Sequence, residues 1–251
     1  MADKDPMKGA ARVLDLMEAF GGRCIPMSLT EIAQEIAVPI SSCHSLVKTL
    51  HQRGYIYRLD SPKRFYPTRR LTELAERIAR GDQPLRRIVA VAEELSATTG
   101  ETAIIGKLQD DSALYLDVVD GTHTIRYAAS PGDQRPAHTS AIGKAVLSLL
   151  GRKEFEAALD RMTLVAVTPS TITDRPSLEA DIAEGRERGY FLSRGETVED
   201  VMGIAVALKF GGEAYAIGIA GPLLRLDAMR ETYVQSLDDL REKLAEINAT
   251  M

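Results

Sequence analysis

Apolar positions recur at helical spacing in three short stretches of the first seventy residues. In "MKGAARVLDLMEAF", Ala10, Val13, Leu14, Met17 and Phe20 fall near one face, predicting a helix over residues 7–20 that Gly21-Gly22 ends. In "SLTEIAQEIA", Leu29, Ile32, Ala33 and Ile36 form a buried stripe, and Ser28 with Glu31 makes a capping box at its start. A short turn, Ala37-Val38-Pro39, leads into a third helix, with Pro39 suited to the first helical position. There Cys43, Leu46, Val47 and Leu50 share a buried face, leaving Ser41, Ser42, His44, Ser45, Lys48 and Thr49 outside. Gly54 ends that helix. Residues 55–59 and 64–67 read as two strands around a "DSPK" turn, which Pro62 supports.

"TRRLTELAERIARG" sets Leu71, Leu74, Ala75 and Ile78 on one face and predicts a linker helix that Gly81 breaks. Another helix follows over about residues 83–98 and stops at Gly100. The pattern then changes. "ETAIIGKL", "SALYLDVV" and "TIRYAAS" are short β-prone runs bounded by turn residues. "SAIGKAVLSLL" and "SLEADIAEGRERG" return to helical spacing. "YFLSR", "GIAVALKF" and "AYAIGIAG" are strands again, with "GGE" turning the last two into a hairpin. "LDAMRETYVQSLDDLREKLAEINA" reads as one long closing helix. Strands and helices mix without strict βαβ alternation, which predicts an α+β domain with a mainly antiparallel sheet. The expected domains are residues 1–68, a linker helix at 69–81, and residues 82–251.

Composition narrows the function. The chain is 45% hydrophobic and 27% charged, the balance of a folded globular protein. No apolar run approaches the roughly 20 residues of a membrane span, and the N-terminal "MADKDPMKGAARVLD" lacks the apolar core of a signal peptide. A cytoplasmic protein with no membrane partner is expected. Cys24 and Cys43 match no zinc spacing, and His44, His51, His123 and His138 are scattered, so neither a metal nor a cofactor is expected. There is no G-x-S-x-G, H-E-x-x-H or G-x-x-x-x-G-K motif, and His138, near Ser140 and Lys144, reads as a structural histidine. The expectation is not an enzyme. The net charge of −5 argues against nucleic acid, but residues 1–70 carry +4 and the remainder −9.

That basic first piece is also the one with two short helices joined by a three-residue turn, a helix-turn-helix whose second helix would enter a DNA major groove. Hydroxyls and Lys48 on its outer face suit phosphate or base edges, and a helix N-terminus favours phosphate. The following hairpin would be a wing, with Lys63 and Arg64 at its tip holding the flank. A polar helix face is ordinarily just solvated. Here a capped helix, a short turn, a second amphipathic helix, a basic-tipped hairpin and a positive regional charge occur together.

Four stretches carry a resemblance. "LTEIAQEIAVPISSCHSLVKTLHQRGYI", "GDQRPAHTSAIGKAVL", "TPSTITDRPSLEADIAEGRERGY" and "AIGIAGPLLRL" are similar, over nearly the full length, to the IclR family of bacterial transcription regulators. The resemblance implies a homodimeric or homotetrameric regulator that reads a near-palindromic double-stranded operator. It also implies a GAF-like C-terminal domain that binds a small effector. Ser41, Ser42, His44, Lys48 and Thr49 look like their family counterparts. Ile40 and Ser45 stand where the family usually has a basic residue and an arginine. Loss of a guanine-reading fork, which carries ~1–3 kcal/mol of discrimination, implies a different operator. Pro67-Thr68 replaces the usual leucine-glycine after the wing, so the entry to the linker is expected to differ in angle.

The family's effector pocket departs further. It draws on the start of the "AIGKA" helix, an acid, a cysteine and two hydroxyls, at positions that read here Ala141 and Ile142, Ser193, Gly203, Gly218 and Ala220. Fewer polar side chains suit an organic acid with a substantial apolar or aromatic part, its carboxylate held by the helix N-terminus at residues 140–142. The plainer reading is that these glycines only permit strand packing and the site binds nothing. A second alternative is a small-molecule sensor that keeps the winged helix for dimerisation alone. The helices at about residues 69–98, by position, are the expected transmission element.

Overall fold

The computed structural model describes residues 8–249, and contacts divide the chain between Asp82 and Gln83. In the first unit, helix α1 (Lys8–Arg23) runs straight through Gly21-Gly22, past the expected stop. Leu16 and Phe20 are buried and anchor its last turns. The stop comes at Cys24, whose φ of 53° is left-handed and whose N–H bonds the Phe20 carbonyl. The expected start at residue 7 lies outside the described residues. Helix α2 (Leu29–Glu35) has the full capping box: Glu31 N–H donates to Ser28 Oγ at 3.3 Å, and Ser28 N–H to Glu31 Oε2 at 2.7 Å. Pro39 is the residue before helix α3 (Ile40–Gln52) rather than its first helical residue, with extended ψ of 143°. Gly54, at φ +74°, turns the chain out of α3, a conformation glycine adopts without strain.

Strands β1 (Ile56–Asp60) and β2 (Lys63–Pro67) form an antiparallel hairpin closed by the Asp60–Lys63 pair. Met27 adds a bridge to Phe65 on the hairpin's open edge. Leu16, Phe20, Met27, Ile32, Cys43, Val47, Leu50 and Ile56 form one core, so the three helices and the hairpin hold each other. Helix α4 (Arg70–Gly81) follows, with no buried residue.

The second unit opens with helix α5 (Gln83–Thr99), then strands β3 (Thr102–Gln109) and β4 (Ser112–Val119). Strand β5 (Gln134–Pro136) and a single 3-10 turn at Ala137–Thr139 lead to helices α6 (Ala141–Ser148), α7 (Arg152–Arg161) and α8 (Arg175–Arg188). Strands β6 (Phe191–Arg194), β7 (Val201–Phe210) and β8 (Glu213–Pro222) follow, then helices α9 (Leu223–Ala228) and α10 (Arg230–Ala249). The sheet order is β5-β4-β3-β8-β7-β6, antiparallel throughout. The α+β reading holds.

Its details differ in four places, the first being the short strand β5, which no predicted element covers. "TIRYAAS" is not a strand: the Tyr127 carbonyl accepts from the Thr102 hydroxyl and the Ile125 carbonyl from Arg225, so side chains satisfy what a ladder would have. The closing helix breaks at Met229 into α9 and α10. Helix α7 has no counterpart among the predicted elements.

Alternation along the central strands explains the layers. One face carries Met202, Ile204, Val206, Leu208 and Phe210 with Ile217 and Ile219, packed on α5 and α10. The opposite face of the same strands is Gly203, Ala205 and Ala207, with Ala214, Ala216, Gly218 and Ala220. Helix α6 lies on that small-residue face: a Cβ on Gly203 would sit 3.2 Å from Ala141 Cβ, and one on Gly106 would strike Ile142.

Candidate nucleic-acid interface and effector cavity

Along α3, the outward positions separate into two rows. His44, Lys48 and His51 follow one face at i, i+4 and i+7 and are exposed. They border a groove of about 420 Å³ against the hairpin, whose far wall holds Arg58, Lys63 and Phe65. Ser41, Ser45 and Thr49 form the second row. Ser45 Oγ donates to the Ser41 carbonyl at 3.2 Å and Thr49 Oγ1 to the Ser45 carbonyl at 2.9 Å, which leaves their lone pairs outward. Ser42 is half-buried between these rows and the core. Arg58 is tied to Asp60 at 2.8 Å, and both side chains stay largely in solvent. His51 and Arg58 were not among the expected contacts. Their signal was the i+7 spacing from His44 and the cross-hairpin position opposite Phe65.

Arg64 is placed differently from the expected DNA-flank contact. Its guanidinium turns inward, donating to the Pro26 carbonyl at 2.7 Å and to Glu31 Oε1 at 3.1 Å. It ties the hairpin to the first turn of α2. The Glu31 carboxyl is held below its ordinary pKa, first by the Ser28 backbone N–H and also by Arg64. At the hairpin tip, Lys63 alone of the predicted pair is exposed.

The six predicted effector positions come from α6, β6, β7 and β8, and all six line one cavity. Strand register brings them together: Ser193 pairs with Gly203, Gly203 with Ala220, and Ala205 with Gly218. The space for water-sized occupants is about 30 Å³, close to one water molecule. The positions where side chains are small are filled by approach of α6, not by a void. Gly218 serves packing as well, since a Cβ there would lie 2.4 Å from the Ile204 carbonyl oxygen. The Ser193 hydroxyl donates to the Thr139 carbonyl at 2.6 Å.

Sequence reading missed several lining residues: Tyr115, Tyr127, Thr197 and Val198. Burial pushes the Tyr115 phenol far above its usual value, so it remains a protonated donor. Arg135 reaches the Tyr127 hydroxyl at 3.3 Å and lies over the Tyr115 ring. Ser140 caps α6 through a contact to Gly143 N–H at 3.5 Å. Among the described residues no carboxylate lines the cavity. Its polar groups are hydroxyls and the N-terminal end of α6, whose first N–H groups lack intrahelical partners.

Behind the cavity, Lys144 is fully buried on α6. Its Nζ meets Glu196 at 2.7 Å and the Leu192 carbonyl at 3.2 Å. Asp181 Oδ2 lies 2.8 Å away in ion-pair contact without a directed hydrogen bond. His138 is also buried, its Nε2 3.1 Å from the Val165 carbonyl, and burial depresses its pKa. It ties the loop between α7 and α8 to the entry of α6. Among the described residues no cluster of His, Cys, Asp or Glu has the form of a metal site, and no helix is long and apolar enough to cross a membrane.

Comparison with known proteins gives the same two-part picture. Residues 9–60 match the family model described as the IclR helix-turn-helix domain, and residues 83–246 the model described as bacterial transcriptional regulator IclR C-terminal. The transcriptional regulator BhcR of Paracoccus denitrificans is 30% identical over 238 residues, covering 92% of this chain and 84% of its own. The Thermotoga maritima IclR crystal structure shares the fold at a TM-score of 0.80, with 22% identity over 96% of this chain and 98% of that one. An IclR homologue from Microbacterium hydrocarbonoxydans, solved with 4-hydroxybenzoate, aligns at a TM-score of 0.66 and 26% identity, covering 93% and 99%. A helix-turn-helix unit followed by this α+β domain, matched along most of the chain, places the protein in the IclR family of bacterial transcription regulators.

Proposed function

We propose that the protein reads a near-palindromic operator as a homodimer or homotetramer and is controlled by a small organic acid bearing an apolar or aromatic part. The carrying observation is the convergence of Ala141, Ile142, Ser193, Gly203, Gly218 and Ala220 on one cavity without a carboxylate. Hydroxyls and the α6 N-terminus suit an anionic head group, while Ile104, Val198, Val201 and the alanines suit a ring. The likeness to a relative solved with 4-hydroxybenzoate supports an aromatic acid. At about 30 Å³ the cavity is closed to such a ligand, so binding must open it. An effector then shifts DNA affinity only as far as it prefers one arrangement of the protein over another. On the DNA side, His44, Lys48, Lys63, Ser41, Ser42, Ser45 and Thr49 are proposed to face the duplex.

The test is thermal melting of the full chain with 4-hydroxybenzoate, benzoate, pyruvate and glyoxylate. At 100-fold over its dissociation constant a ligand adds ~2.7 kcal/mol, on the order of 5–10 °C for the second unit. Shifts with the aromatic acids that also change affinity for duplex DNA support the reading. Shifts with the two- or three-carbon acids alone, or with none, overturn its effector half.

A further inference from the structure

Most of the cavity wall is locked in regular structure. Its residues on β3, β4, β7 and β8 belong to antiparallel ladders, broken only by a bulge between β3 and β4 at Ile105–Gly106, and those on α6 to a helix packed on the sheet. Separating these elements breaks many hydrogen bonds at once. Thr197 and Val198 line the cavity from the segment between β6 and β7, residues 195–200, which has no ladder partner. Val198 is 44% exposed, so this segment reaches from the cavity wall to solvent.

Backbone bonds close the ends of the segment, Gly195 N–H to the Val201 carbonyl and Leu223 N–H to the Asp200 carbonyl, each at 2.8 Å, and side chains hold its middle. Thr168 Oγ1 donates to the Gly195 carbonyl at 2.6 Å, and Thr171 Oγ1 to the Glu196 carbonyl at 2.8 Å. Thr197 Oγ1 donates to the Thr139 carbonyl at 2.8 Å. The charged tie is Glu196, whose two carboxylate oxygens accept from Lys144 Nζ at 2.8 and 2.7 Å. Lys144 stands one turn beyond Ala141, on the helix whose start lines the cavity. Gly195, at φ +68°, sits at the near end of the segment, where glycine turns freely.

We infer that residues 195–200 are the door of the effector cavity and that the buried Lys144–Glu196 pair is its latch. The inference rests on the cavity being the effector site. Ligand entry lifts Thr197 and Val198 away, and α6 carries the loss of the latch into the helix layer through Asp181 on α8. Lys144 and Glu196 are positioning residues in this scheme. Neither lines the cavity.

Hydrogen–deuterium exchange of the full chain, read by peptide mass spectrometry, tests this. Glu196→Gln keeps the side chain's size and removes its charge. Loss of a charge-assisted hydrogen bond is expected to raise exchange over 195–200 by roughly tenfold, with β7 and β8 unchanged. The association rate for 4-hydroxybenzoate is expected to rise with it. Thr171→Val removes the tie to the Glu196 carbonyl, and with it the acceptor for the Val167 and Thr168 N–H groups, while leaving the Lys144 and Glu196 charges in place. It is expected to raise exchange in the same segment and serves should Glu196→Gln fail to fold. Unchanged exchange over 195–200 in the folded variants overturns the latch. Ligand-induced change confined to residues 121–131, the other irregular part of the wall, overturns the door. If 4-hydroxybenzoate does not bind the wild type, the effector reading fails in the binding arm, while the exchange arm still judges the latch.

Discussion

Arg64 and Lys48 are both basic residues of the helix-turn-helix unit, yet the structure places them differently. Lys48 is exposed in the groove between α3 and the hairpin, and Arg64 is bound to the Pro26 carbonyl and to Glu31. A lysine that touches phosphate releases counterions on binding and adds about 0.9 to the slope of log affinity against log salt. Between 50 and 200 mM salt that is a factor of about 3.5 per contact. Lys48→Ala is therefore expected to weaken binding to duplex DNA and to make the fall over this range about 3.5-fold shallower. Arg64→Ala is expected to leave the slope where it is. Its effect should appear in stability: the lost hydrogen bond to Pro26 is worth about 1 kcal/mol, or roughly 4–8 °C in a unit of this size. Fluorescence anisotropy of a labelled duplex at four salt concentrations measures the slopes, and circular dichroism of the same samples measures melting. A reduced slope with unchanged melting for Arg64→Ala would refute the internal role, because the guanidinium would then be leaving Glu31 for phosphate.

Three further outcomes follow from the packing. Gly21→Ala and Gly22→Ala place a Cβ where nothing lies within 4 Å, so each should stabilise the first unit by about 0.5–1 kcal/mol, and a loss on melting would contradict the continuous α1. Lys144→Met strands two carboxylates around an apolar group and should cost ~3–5 kcal/mol, with Lys144→Met/Glu196→Gln recovering part; chemical denaturation showing under 1 kcal/mol for the single variant would mean water reaches the pair. His138 has a depressed pKa from burial, so between its folded value and about 6.5 the unfolded chain binds a proton that the folded chain refuses. Stability from this group is thus complete above that window and declines as pH falls through it. The melting temperature of wild type should drop more from pH 7.5 to 5.5 than that of His138→Gln, and equal drops would reject the linkage.

Much of the first unit is local and was legible in the chain. The Ser28–Glu31 capping box, the α3 stripe at Cys43, Val47 and Leu50, and the turn at Gly54 depend on neighbours within a few residues. Spacing alone suffices where the interacting groups are that close. The termination of α1 was misread because glycine is only a weak helix breaker when Leu16 and Phe20 are packed, and a tertiary contact outweighs a propensity of about 1 kcal/mol. The same limit hid the role of Arg64. Its partner Glu31 lies on another element, and sequence cannot show which way a long side chain turns.

In the second unit the alternation of large and small residues along β7 and β8 already marked two unlike faces, but not what each would meet. Register decided that Ser193, Gly203 and Ala220 stand in one row, a matter of long-range hydrogen bonding. The small residues at Gly203, Gly218 and Ala220 were visible in the sequence. That the space was taken up by α6 settling on the sheet, leaving about 30 Å³, was not. Side-chain chemistry is written in the chain residue by residue, whereas cavity volume is the small remainder after all the elements have packed, and only the tertiary structure sets it.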